Sequence, residues 1–98
     1  MKQITETSVY YWAENAKSGR VLVASAGYST PEEVKVAIDS TNDSIRDSNK
    51  YGTYWHSAVR GVIIRKETTT TRDENKRLIS QTIVNTPTGE IYPERLPF

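Results

Sequence analysis

Gly27-Tyr28-Ser29-Thr30-Pro31-Glu32-Glu33 is the stretch on which the fold turns, because it announces a helix between two blocks of β-forming sequence. Thr30 supplies a capping hydroxyl, and Pro31 suits a first helical position where no N–H is needed. Glu33 stands three residues after Thr30, as a capping box requires. A helix is therefore expected from Pro31 to about Ser48-Asn49. Val34, Ala37, Ile38, Thr41 and Ile45 recur at three- and four-residue steps and mark its buried stripe, with Lys35, Asp39, Asn42 and Asp43 turned outward. That stripe holds three large apolar side chains, so the helix has to lie on a sheet to be stable.

Strands are expected on both sides of it. Upstream, Thr7 to Glu14 (TSVYYWAE) and Arg20 to Ala26 (RVLVASA) flank the turn-forming Asn15-Ala16-Lys17-Ser18-Gly19, which predicts a hairpin. Alternation places Val9, Tyr11 and Ala13 on one face and Tyr10, Trp12 and Glu14 on the other. Downstream, Thr53 to Thr71 and Arg77 to Thr86 are strand-like around the polar turn Arg72 to Lys76, forming a long ribbon. Gly61 interrupts its apolar centre and marks a bulge or a close approach of the helix. The run Thr68 to Thr71 brings β-propensity without apolar surface, so the ribbon tip should project into solvent. From Pro87 the proline-rich tail is expected to be extended or disordered unless a partner holds it. The architecture expected is α+β: residues 1–86 as a single domain with an antiparallel sheet of about four strands (β-β-α-β-β) packed on one helix, and residues 87–98 as an extended tail.

Composition narrows the function classes. The chain has 98 residues, 36% of them hydrophobic, with no cysteine and a net charge of +1. One thin core, no disulfide framework and no thiolate metal site follow. No apolar run approaches a membrane span, and Met1-Lys2-Gln3-Ile4-Thr5-Glu6 lacks the apolar stretch of a signal peptide, so a cytoplasmic protein is expected. Residues 1–50 carry six basic and seven acidic side chains, whereas residues 51–98 carry seven and five. The near-neutral total conceals a basic ribbon.

Residues 10–42 resemble one repeat of the small bacterial YegP-like proteins. The likeness is carried by Tyr10, Trp12, Ala16, Val21, Leu22, Ser25, Tyr28, Thr30, Ile38 and Ser40 without a gap, and it does not extend past Asn49. Ser18-Gly19 stands where that family has Asn-Gly, and Ala37 where it often has Gly. The resemblance implies a hairpin-plus-helix unit completed by further strands, and no activity.

Chemistry-bearing residues are sparse. His56 is the single histidine and has no nucleophile or orienting acid placed beside it by the sequence. Asp39, Asp43 and Asp47 recur every four residues on one helix face, without the glycine turn and ligand spacing of a calcium loop, and are expected to form a solvated face. The glycines fit no phosphate-binding pattern, and no cofactor or metal is expected. Two constellations remain. The aromatics Tyr10, Tyr11, Trp12, Tyr28, Tyr51, Tyr54 and Trp55 serve either as core or as a stacking platform. The basic side chains Arg60, Arg65, Lys66, Arg72, Lys76 and Arg77 form either a groove-seeking finger or the charged guard of a sheet edge.

These features point to a non-enzymatic interaction module that binds a protein partner through the ribbon, the tail or both, with homodimer formation expected from the thin core and open sheet edges. Its size also suits an inhibitor or accessory protein such as a phage would carry. Two alternatives stand beside this: nucleic-acid binding through the basic ribbon and aromatic strand, and binding or sequestration of a nucleotide-like ligand in a concave site lined by Tyr28, Tyr51, Trp55 and Arg60.

Overall fold

The computed structural model describes residues 2–52 and 54–98, and for Ala24, Ser25 and Ala26 the backbone only. Thr53, where the ribbon was expected to begin, lies outside the described residues, as do Met1 and the side chain of Ser25. The elements follow in the order β1 (Ile4–Asn15), β2 (Val21–Tyr28), α1 (Pro31–Tyr51), β3 (Gly61–Arg72) and β4 (Leu78–Tyr92). This is the α+β arrangement expected, a four-stranded antiparallel sheet in the order β2-β1-β3-β4 with one helix.

Local chemistry sets the boundaries. The Asn15 carboxamide accepts from the Lys17 and Ser18 amides at 2.8 and 3.1 Å, and Gly19 takes the left-handed conformation (φ 72°) that closes the β1–β2 turn. At the helix entry Thr30 Oγ1 accepts from Glu33 N at 3.3 Å, while the Glu33 carboxylate reaches back to Ser29 N. The pair satisfies the Glu33 amide, which the first helical turn leaves free, and ties the residue before the cap to the helix.

β1 is longer than expected and pairs along its whole length with β3, from Ile4 opposite Arg72 to Asn15 opposite Gly61. The ribbon is therefore three-stranded, with β3 at its centre. Thr5 and Thr7 meet Thr71 and Thr69 through their hydroxyls at 3.2 and 3.5 Å, so the threonine run forms cross-strand pairs and is only partly exposed. The helix covers one end of one face. Ala13, Val23, Val34, Ile38 and Ile63 form the buried cluster, with Tyr11, Leu22, Tyr28, Ala37 and Tyr92 packed around it. Complete burial of Val34, Ile38 and Ile63 stabilises the fold by about 1.5–3 kcal/mol each. Gly61 lies under the helix, where an added Cβ would come within 2.8 Å of Ile38 Cδ1 and 3.0 Å of Ala13 Cβ. Its role is the close approach.

Three expectations require correction. Residues 54–60 are not strand, although β-forming in composition: β1 reaches its turn at Asn15, and no neighbouring strand is left to pair with them. Asn42 is buried at 3% exposure, not outward, and holds that segment against the helix. Residues 87–92 belong to β4, and only 93–98 form a tail. That tail folds back on the chain itself: Pro93 O accepts from Arg60 Nε at 2.9 Å, and Phe98 meets Trp55 edge-on at 6.1 Å.

Candidate interaction surface

The fold sorts the candidate residues by sheet face. Ala13 and Ile63, directly opposite one another, face the helix. Trp12 and its partner Ile64, and Tyr10 and its partner Lys66, therefore lie on the face away from it. The helix does not cover Tyr10 and Trp12. Tyr10 stays 41% exposed and leans over Gly27, whose added Cβ would sit 2.9 Å from Tyr10 Cβ. Of the expected aromatics Tyr11 and Tyr28 pack against the core, joined by Tyr92.

The remaining candidates do not converge. Tyr28 packs at the start of the 21-residue helix and Tyr51 ends it, about 30 Å away along the axis. Trp55 stands beside Phe98 in the loop, and Arg60 is engaged with Pro93. The four residues proposed to line a ligand site thus share no cavity. His56 is exposed, and its backbone is held by Asn49 through two bonds of 2.7 Å. Along the helix, Asp39 accepts from the Tyr92 hydroxyl at 2.9 Å, while Asp43 and Asp47 flank Arg46 at 3.5 and 3.7 Å.

The basic residues are divided as well. Arg65 faces the helix side, where it bonds Glu67 at 2.6 Å; that contact, with Tyr11 beside it, raises its pKa above the ordinary arginine value. Lys66 points to the opposite face. Arg72 bonds Lys76 O at the ribbon tip, and Arg77 follows in the same turn. Arg65, Lys66 and Arg72 sit on the central strand and guard no edge.

The edge itself is the feature that sequence reading missed. β4 is the outermost strand, and every residue from Leu78 to Ile91 is exposed. No charged side chain occurs between Leu78 and Gly89, while Leu78, Ile79, Ile83, Val84 and Ile91 expose 44–54% of their surface. Long edge strands ordinarily carry lysine, inward charges or proline as protection against pairing with another chain. Here Pro87 and the irregular pairing at the two ends of β4, around Ile79 and between Pro87 and Ile91, give some of that protection, and the regularly paired stretch from Ser80 to Thr86 carries none of it. The signal was present as an uncharged run of twelve residues, but its position at the edge depends on β1 taking the other side of β3.

No protein family model, curated protein or solved structure matches the chain. Among the described residues no helix is long and apolar enough to cross a membrane.

Proposed function

We propose that this protein is a non-enzymatic, cytoplasmic interaction module that binds a protein partner through β4 and the sheet face behind it. One observation carries the reading: a 15-residue edge strand, uncharged from Leu78 to Gly89, whose aliphatic side chains are half exposed. Such an edge offers unpaired main-chain groups for affinity and alternate side chains for specificity, the basis of strand addition between proteins. The tail, folded back on Trp55 and Arg60, contributes to the chain's own packing. Affinity capture from a lysate, with the wild type compared to Ile79→Lys/Ile91→Lys, tests the reading. Proteins retained by the wild type and lost with the variant are the expected result. Equal retention by both overturns it.

A second reading has one observation in its favour: Tyr10, Trp12 and Lys66 share the uncovered face, an arrangement suited to stacking single-stranded nucleic acid. It requires that affinity for an oligonucleotide fall steeply with salt and with Trp12→Ala. No binding at low salt removes it.

A further inference from the structure

The chemistry of β4 specifies its occupant more narrowly than an open edge alone would. Thr88 Oγ1 donates to Ile63 O, which therefore faces β4, whereas Arg60 O accepts from Ala16 N on the β1 side. Main-chain groups alternate in direction along a strand, so the odd-numbered residues of β3 turn toward β4 and the even-numbered ones toward β1. Through the observed pairs Arg65–Thr86, Glu67–Val84 and Thr69–Thr82, the even residues of β4 bond inward. The N–H and C=O groups of Gln81, Ile83 and Asn85 then face the free edge, together with the carbonyl of Pro87.

That outward row is symmetric about Ile83: an amide, an aliphatic and an amide, flanked by the apolar Ile79 and Pro87. A two-fold contact between identical chains needs such self-complementarity, because each residue meets its mirror position on the partner. We propose that the occupant of this edge is β4 of a second copy of the chain, running antiparallel with Ile83 opposite Ile83. In that register Gln81 lies against Asn85, Ile79 against Pro87, and Thr82 against Val84 on the reverse face. In the outward row amide meets amide and apolar meets apolar, and on the reverse face one β-branched side chain meets another at Thr82 and Val84. A register centred on Thr82 instead sets Gln81 against Ile83, an amide against an aliphatic. No like charges are opposed, since the paired segment has none. Gln81, Ile83 and Asn85 of the two chains supply about six main-chain hydrogen bonds. The two sheets join into one of eight strands, the uncharged edge is covered, and the sheet face behind β4 stays open to a different protein.

The inference rests on reading β4 as a protein-binding edge, and its test separates the two. Light-scattering mass is measured at millimolar concentration for the wild type, Gln81→Lys/Asn85→Lys and Gln81→Lys/Asn85→Glu; all altered side chains are exposed, and circular dichroism verifies folding. The wild type is expected at twice the 11.1 kDa chain mass. The double lysine variant, which opposes like charges at both amide pairs, is expected at 11.1 kDa. The lysine–glutamate variant opposes unlike charges only in the Ile83-centred register and should remain dimeric. A monomeric wild type, a dimeric double lysine variant or a monomeric lysine–glutamate variant each overturns the proposal. The first of these leaves the edge available to a different protein, which the lysate comparison reads independently. Equal lysate retention with a dimeric wild type fails the partner reading alone.

Discussion

Asn42 and Asn49 use a side-chain amide in the role of a peptide group. Asn42 accepts from Val59 N at 2.8 Å and donates to Val59 O at 3.0 Å, and Asn49 repeats the pattern with His56 at 2.7 Å for both bonds. Seven helical residues advance about 10 Å, and three extended residues cover about the same distance. The loop therefore runs antiparallel to the helix in step with the two asparagines, and its backbone is satisfied where no strand can reach it. At Asn42 the pairing is buried, so Asn42→Ala leaves a donor and an acceptor of Val59 unmatched and should destabilise by roughly 2–4 kcal/mol. Asn42→Asp is the sharper test. It keeps the acceptor for Val59 N but sets an oxygen against Val59 O, and it should lose nearly as much as alanine. Urea denaturation with an unchanged m-value is the measurement; a loss below about 1 kcal/mol for both variants would show that water takes the place of the amide.

At the scale of elements, the end of β4 is fastened to α1 by side chains, while its body stands free. The Tyr92 hydroxyl bonds Asp39, Lys35 pairs with Glu90, and the Lys35 ammonium lies 5.6 Å from the Tyr92 ring centre. The hydrogen bond to Asp39, then burial and the Asp39 charge, hold the Tyr92 pKa above the ordinary tyrosine value. A phenol whose folded pKa exceeds its unfolded one stabilises the fold fully below the unfolded value and loses that contribution as pH rises through the folded value. Tyr92→Phe should therefore cost at most about 1 kcal/mol at neutral pH, given its exposure, and the gap from wild type should close at strongly alkaline pH. Melting curves across that range that stay equally spaced would refute the bond's contribution. Elements set by local chemistry were legible in the sequence: Thr30, Pro31 and Glu33 fixed where the helix starts, and Asn15 to Gly19 fixed the first turn. What depends on a distant partner was hidden. Pro87 suggested the end of a strand, yet β4 continues to Tyr92 because Pro87 faces the free edge, where no neighbour needs its missing N–H. Residues 54–60 looked like strand because their composition is β-forming, and composition does not report whether a partner is in reach. Alternation separated Tyr10 and Trp12 from Tyr11 and Ala13, but only the packing of Ile38 against Ala13 and Gly61 shows which face the helix occupies.

Over the whole molecule, the sheet extends far beyond the helix that stabilises it. The Cα radius of gyration is 17.6 Å and the long dimension 62 Å, whereas a compact chain of this length has a radius of about 13 Å. Small-angle scattering of the Gln81→Lys/Asn85→Lys variant, expected to be monomeric, should give an elongated particle with a radius well above the compact value. A radius near 13 Å would mean that the ribbon folds back. The same geometry predicts a gradient of stability along β3. Its Gly61 end is covered by Ile38 and bordered by β1 and the pinned end of β4, while its Arg72 end has threonine pairs and no helix. Few apolar contacts at the tip allow opening without global unfolding. In that variant the amides of Thr68 and Thr70 should exchange with solvent sooner than those of Val62 and Ile64, although all four face β1 in one uninterrupted ladder. In the wild type, pairing of β4 with its copy would slow the tip amides and flatten the gradient. Uniform protection of the β1-facing amides of β3 in the double lysine variant would instead show that the ribbon opens only when the helix and sheet unfold together.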